Sequence, residues 1–156
     1  MQVLCPQDEL KFNDETGPNT TIPKGYQESI GEMSNGDGAQ ELLLSPYRVL
    51  DLTGQGGLLC GKILADLGAD VIQVEPPGGS AARNIGPFYQ DDVHPEKSLF
   101  WWSYSANKRS VTLNLETADG RDLLERLVKS AHFLIESFPP GYMDGLSLGY
   151  TGLEAI

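Results

Sequence analysis

The chain is short of cations. Eleven Lys and Arg stand against 22 Asp and Glu, for a formal net charge of −11. Such a surface repels phosphate backbones and anionic lipid headgroups, so neither a nucleic acid nor a membrane is expected as a partner. A local cationic site for an anionic ligand remains compatible with it. Cysteine is equally scarce: Cys5 and Cys60 lie far apart, which reads as free, reduced thiols and not as a disulfide framework. His94 and His132 sit in a loop and at a strand start, where ordinary polar roles are expected, and no Cys/His spacing suggests a metal. No run of about 20 apolar residues exists, so no transmembrane helix is expected. The N-terminus lacks a basic segment followed by an apolar one, and lacks an Arg-rich amphipathic targeting pattern. The expectation is a soluble, cytoplasmic protein.

Apolar content is 40%, and the shortage is concentrated at one end. Residues 1–41 hold eight Asp and Glu against Lys11 and Lys24, together with Pro6, Pro18 and Pro23 and several Asn and Thr. That composition predicts a disordered or loosely attached acidic leader. The globular part then begins near Leu42 and runs through 156, enough for one modest core.

Beyond the leader, strand and helix patterns alternate. Arg48–Thr53 reads as a buried strand. Gly57–Leu67 has Leu59, Ile63 and Leu67 at helical spacing, with Leu64 and Ala65 alongside and Gly68 as the stop. Val71–Val74 is a β-branched strand, ended by Pro76-Pro77-Gly78-Gly79. Residues 77–97 form a long loop, of the kind that is usually functional or disordered. Ser98–Ala106 fits a short helix or a buried strand, with Trp101 and Trp102 as core or dimer-contact residues. Arg109–Leu115 reads as a strand carrying Val111, Leu113 and Leu115 on one face. Thr117 caps a helix through Ala131 with Leu123, Leu124, Leu127 and Val128 on its apolar face. His132–Phe138 is a fourth strand, ended by Pro139-Pro140-Gly141. Tyr142–Leu146 suits a helical turn, and Thr151 the cap of a helix that Leu153–Ile156 begins. This order predicts an α/β, mostly parallel, doubly wound sheet, incomplete as it stands. The chain is expected to be a piece of something longer.

The turn Gly54-Gln55-Gly56 follows a strand and opens a helix, and Glu75 ends the next strand. That is the layout of a dinucleotide fingerprint, with the acid on a ribose hydroxyl. Leu59 stands where the third glycine belongs. A tight turn that needs backbone freedom accounts for the same glycines, and the helix N-terminus could hold an anion through its free N–H groups.

Larger blocks are more specific. Leu-Ala-Asp-Leu-Gly-Ala-Asp-Val-Ile-Gln-Val-Glu-Pro-Pro-Gly-Gly (64–79) resembles the signature of the class III CoA transferases, a group that includes formyl-CoA and carnitine CoA transferases and the α-methylacyl-CoA racemases. Asn107-Lys108-Arg109-Ser110-Val111-Thr112-Leu113-Asn114-Leu115 resembles the family's Asn-Lys-Arg strand. Thr117–Leu124 is similar to its Thr-Pro-Glu-Gly-Arg helix start, and Glu136-Ser137-Phe138-Pro139-Pro140-Gly141 to its Glu-Asn-Phe-x-Pro-Gly turn. Leu148-Gly149-Tyr150 and Leu153 continue the pattern, so the resemblance spans residues 46–156.

The resemblance implies a Rossmann-like large domain, an interlocked homodimer, and acyl-CoA and carboxylic acids as substrates. It implies covalent catalysis through an aspartyl-CoA thioester, with the aspartate beyond this chain. Asp144 is too early to serve, so no catalytic residue is assigned and the isolated chain is expected to be inactive. Coenzyme A is expected to lie against Gln55, Gly56 and Gly57 and against Leu113, Ser137 and Phe138. For Leu113 and Phe138 simple core packing is equally open. Asn107, Lys108 and Arg109 could meet phosphates or could stabilise the fold.

Some positions depart from the family pattern. Pro76, Glu116 and Gly145 stand where several transferases carry basic residues, and Ser137 replaces the turn asparagine. Charge-assisted bonds to phosphate contribute about 1.5–3 kcal/mol each, so their loss would weaken or re-route binding, with Arg83 of the long loop as a candidate replacement. Asn-Lys-Arg-Ser favours the transferase branch. A racemase-like fragment and a degenerate, non-catalytic assembly module remain alternatives.

Overall fold

A computed structural model describes residues 42–156, and the acidic segment 1–41 lies outside the described residues. Four strands, β1 (Arg48–Leu52), β2 (Asp70–Glu75), β3 (Arg109–Thr112) and β4 (Phe133–Glu136), form one sheet in the order β3-β2-β1-β4. All three pairings are parallel, with Leu50 opposite Ile72 and Leu134, and Ile72 opposite Arg109. Five helices connect and flank them: α1 (Leu58–Asp66), α2 (Leu99–Ser105), α3 (Ala118–Val128), α4 (Tyr142–Gly145) and α5 (Tyr150–Glu154). The expected α/β, mostly parallel, Rossmann-like architecture is what the chain adopts.

Strand alternation sorts the two faces. Leu50, Leu52, Ile72 and Val74 point to one face and pack with Leu115, Leu124 of α3, Met143 of α4 and Leu148. Val49 and Val71 point to the other, against Ala65 of α1 and Ala69. Further along that second face the side chains are polar: Asp51, Thr53, Gln73 and Glu75 are all buried.

Local chemistry sets the element ends. Gly68, at φ +101°, closes α1. Its N–H donates to Ala65 O, and the Ala69 N–H to Leu64 O, in a glycine C-cap. Ser98 is fully buried and caps α2, accepting from the Trp101 N–H at 3.0 Å and donating to Ile85 O. Thr117 caps α3 through the Gly120 N–H at 3.2 Å.

Several expectations need correction. Leu59, Ile63 and Leu67 are 53%, 50% and 41% exposed, and α1 buries Leu58, Gly61 and Ala65 instead. The helical spacing is as expected, but the leucine stripe is not the buried face, because α1 lies over Asp51 and Lys108 and needs a small residue there. Segment 98–106 is a helix, with Trp101 in the core at 6% exposure and Trp102 half exposed. β3 stops at Thr112, three residues early, although Leu113 and Leu115 still pack on the core. The last helix starts at Tyr150 with Gly149 as its cap, so Thr151 lies inside it. The loop after β2 is not featureless; it holds short 3-10 turns at Ala81–Asn84, Tyr89–Asp91 and Pro95–Lys97.

Gly120 gives a clean test of packing against propensity. In an open helix position Gly→Ala stabilises by about 1 kcal/mol. Here a Cβ would sit 1.9 Å from the Asn114 carbonyl oxygen. Gly120→Ala should therefore lower stability by about 1–3 kcal/mol through overpacking, read as a fall in the urea unfolding midpoint; an unchanged or raised midpoint would contradict the close approach.

Candidate functional site

The strand order reverses at β1, since β2 and β3 lie on one side of it and β4 on the other. In open parallel sheets ligands bind outside the carboxyl ends of the strands at such a switch point. The segments there are the turn Thr53–Gly57 after β1 and the turn Ser137–Gly141 after β4. They are joined: the Gly54 N–H donates to Ser137 Oγ at 2.9 Å.

Of the expected site residues, Gln55, Gly56, Gly57, Ser137 and Phe138 therefore flank one crevice. Gln55 and Gly56 are exposed. A Cβ at Gly56 would meet nothing within 4 Å. Gly57 differs, because a Cβ there would sit 2.5 Å from Thr53 Cβ, so the fold itself requires it. Phe138 is half-buried and stacks on Tyr142 with ring centroids 4.6 Å apart. Leu113 also packs on that core, its N–H donating to Glu75 O at 2.9 Å.

The charged triplet is placed differently. Asn107 Nδ2 donates to Asp66 Oδ1 at 2.8 Å. Arg109 grips Asp70, its Nε donating to Oδ1 at 2.8 Å and its NH2 to Oδ2 at 2.6 Å, and Arg48 donates to the same carboxylate. Burial would raise the Asp70 pKa, but the two guanidinium groups hold it below the usual range. Lys108 is buried beneath the crevice, 1% exposed, with Nζ 2.8 Å from Asp51 Oδ2. All three residues thus make their polar contacts within the chain.

A second polar cluster lies at the end of β2. Glu75 is 3% exposed and accepts from Arg83 Nε at 2.7 Å, Arg83 NH2 at 2.8 Å, the Ser80 N–H at 2.8 Å and Ser110 Oγ at 2.5 Å. Burial pushes its pKa up, and these four bonds more than reverse that, leaving it below its ordinary value. Arg83 also reaches Glu96 and stacks 4.3 Å over the Trp101 ring. Two sequence readings meet their limit here. Glu75 is saturated and offers no free carboxylate to a ribose, and Arg83 clamps the loop instead of replacing a phosphate-binding cation.

Glu116 accepts from Tyr142 Oη at 2.6 Å, which raises the tyrosine pKa. Arg121 donates to the Leu115 carbonyl oxygen at 3.0 Å. A Cβ at Gly145 would enter open space. His132 and His94 do local work: Nδ1 of the first accepts from the Arg48 N–H, and Nδ1 of the second from the Glu96 N–H. Cys60 is a free, exposed thiol. Among the described residues no cluster of three potential metal ligands occurs, and no helix is long and apolar enough to cross a membrane.

Sequence reasoning missed the buried group formed by Asp51, Thr53, Gln73 and Lys108. Its signal was present: an apolar run in each strand is interrupted by one polar residue, Asp51 between Leu50 and Leu52 and Gln73 between Ile72 and Val74.

Comparison with known proteins places this geometry. The model of the CoA-transferase family III matches residues 44–156. The succinyl-CoA:(R)-benzylsuccinate CoA-transferase subunit BbsE of Thauera aromatica is 42% identical over 110 residues, 70% of this chain and 27% of the relative. The succinyl-CoA–D-citramalate CoA-transferase of Chloroflexus aurantiacus is 38% identical, covering 72% of this chain and 28% of the relative. Among solved structures, a CAIB/BAIF family protein from Brucella suis superposes with a TM-score of 0.67 at 39% identity, over 74% of this chain and 31% of that one. The chain thus spans less than a third of the length of these relatives.

The Glu75–Arg83 clamp makes a pH-dependent prediction. Because the native Glu75 pKa lies below its ordinary 4.5, the clamp contributes fully above that pH and is lost as pH falls through the lower native value. Arg83→Met should cost about 3 kcal/mol near neutrality. The melting-temperature gap to the parent chain should shrink as pH is lowered from neutrality to below the ordinary 4.5; a gap independent of pH would show that the clamp is not electrostatic.

Proposed function

The chain belongs to CoA-transferase family III, and from that premise we propose that residues 42–156 form the N-terminal part of an enzyme that moves CoA between carboxylic acids. In this reading the turn Gln55–Gly57 and the turn Ser137–Phe138 are facing parts of one CoA wall. The observation that carries it is the Gly54–Ser137 hydrogen bond, which draws both turns to the switch point of the sheet. The open space above Gly56 supports it: the fold makes no demand for a glycine at 56, whereas close approach of a ligand to the backbone would.

The proposed chemistry is a relay through an aspartate. Its carboxylate oxygen attacks the donor thioester, releasing CoA thiolate and forming a mixed anhydride. The thiolate then attacks the aspartyl carbonyl, giving aspartyl-CoA and the free donor acid. An acceptor carboxylate reverses the two steps. The aspartate is proposed to lie beyond residue 156, and the isolated chain to be inactive. A homodimer of the longer protein, at work in the cytoplasm, completes the proposal.

A specific observation favours a second reading, a CoA-transferase-like module that binds or assembles without catalysis. Lys108, Arg109 and Arg83 are committed to carboxylates, and Glu116, where several transferases carry a basic residue, is bonded by Tyr142. CoA phosphates would then depend on cations from elsewhere.

Calorimetric titration of the purified chain with CoA separates the two. The transferase reading expects dissociation constants in the micromolar range, about −8 kcal/mol. Gly56→Val should weaken binding about tenfold or more with an unchanged melting temperature. Absence of CoA binding favours the assembly module. Enhanced NADH fluorescence in place of CoA binding would return the glycine turn to a dinucleotide role.

A further inference from the structure

Three of the four residues between Thr53 and Leu58 are glycine, so this turn has little stiffness of its own. Something else must fix it. Both of its ends are tied to one buried ammonium. Lys108 Nζ donates to Leu58 O at 3.0 Å, at the far end of the turn where α1 begins. It also donates to Asp51 Oδ2 at 2.8 Å and to Gln73 Oε1 at 3.1 Å. Asp51 passes the restraint to the near end, where its Oδ1 accepts from the Thr53 N–H at 2.9 Å and Thr53 Oγ1 at 2.6 Å. Gln73 Nε2 completes the ring, donating to Thr53 O at 3.2 Å and Asp51 O at 3.0 Å.

A lysine ammonium has three donors, and these three acceptors use them all. The side chains of Lys108 and Asp51 are 1% and 0% exposed. A phosphate could reach Nζ only by displacing a partner and bringing an anion beside the buried Asp51 carboxylate. Helix α1 is shaped around the pair: a Cβ at Gly61 would sit 1.9 Å from Asp51 Oδ2 and 2.9 Å from Lys108 Nζ.

We infer that Lys108 is a positioning residue that holds the Gln55–Gly57 turn in its ligand-ready shape from beneath and makes no contact with the ligand. The inference rests on reading that turn as a CoA wall, and its test keeps the two apart.

The first measurement needs no variant. The full chain is acylated with an N-hydroxysuccinimide ester, with and without CoA, and its lysines are mapped by mass spectrometry. Lys108 should stay unmodified in both samples while Lys62 and Lys97, whose side chains are 20% and 37% exposed, react. Acylation of Lys108 in the free chain and its protection by CoA would overturn the inference and make Lys108 a direct ligand.

The second uses the charge-neutral double variant Asp51→Asn/Lys108→Gln, which avoids an unpaired buried charge, alongside Thr53→Val, which removes one restraint from the near end. Amide exchange in both should quicken over residues 53–58 and leave the β2–β3 pairing unchanged. CoA affinity should fall about tenfold in the double variant, and less in Thr53→Val. Faster exchange throughout the sheet would mark a merely structural role and overturn the inference. Faster exchange in the turn with unchanged CoA affinity would overturn it too, with the CoA site left standing. If the parent chain binds no CoA, the proposed function fails, and exchange over 53–58 still decides whether Lys108 holds the turn.

Discussion

The buried ion pair between Lys108 and Asp51 is the constraint on which the functional edge of this sheet depends. Removing a carboxylate and an ammonium from water costs several kcal/mol per ion, and the pair offsets this only if every remaining donor and acceptor is satisfied. Here every one is: three acceptors surround Nζ, and both Asp51 oxygens are engaged. The requirement propagates outward. It dictates a glutamine at 73 whose amide can serve both strands, a hydroxyl at 53, and a glycine at 61 so that α1 can approach. Taking away one partner would leave a buried charge alone, which costs about 3–5 kcal/mol. A network this demanding is poor economy for stability alone. Its geometry fixes one arrangement of β1, β2, α1 and the lead-in to β3.

The same face carries a second cluster one turn further along, where Glu75 gathers Ser80, Arg83 and Ser110. Together the two clusters make a polar band across the sheet beside an apolar half built on Val49, Val71 and Ala65. The band does for loops what the apolar half does for helices. Asp51 and Lys108 fix the turn after β1, and Glu75 and Arg83 fix the loop after β2, with Trp101 as the surface on which the guanidinium rests. Both structures lie at or near the carboxyl edge, where an α/β sheet places its ligand. Cations that a sequence reading would send to a ligand are spent on making that edge rigid.

Legibility in the sequence divides along the same line. Apolar periodicity exposes β1, β2 and α3, while Gly68 marks the end of α1 and Thr117 the start of α3, because these signals are local. The buried face of α1 was not legible, because periodicity measures spacing and cannot tell that the helix lies over Asp51 and Lys108. Leu59, Ile63 and Leu67 form the better stripe, yet Gly61 must face inward. The turns at 55–57 and 137–138 were singled out through whole blocks of residues, and the fold joins the two segments through Gly54 and Ser137. Lys108 was legible as important but not as buried, since nothing in Asn107-Lys108-Arg109 distinguishes a lysine aimed at solvent from one aimed under a helix 50 residues earlier in the chain.

The glycines of the β1–α1 segment show how such ambiguity can be resolved physically. In sequence, Gly56, Gly57 and Gly61 are alike. In the fold, Gly57 is required by Thr53, and Gly61 by the ion pair, so both belong to the machinery that shapes the turn. Gly56 has neither a crowded Cβ position nor a left-handed backbone to explain it. A glycine in a chain segment costs conformational entropy on folding, and at 56 nothing inside the described residues offsets that cost. In the proposed reading the offset comes from a ligand that approaches the backbone at Gly56, in the turn where β1 and β4 part. Under the proposed function, the glycine that the fold does not require is the one left for a ligand, while Lys108, held by three acceptors, works out of that ligand's reach.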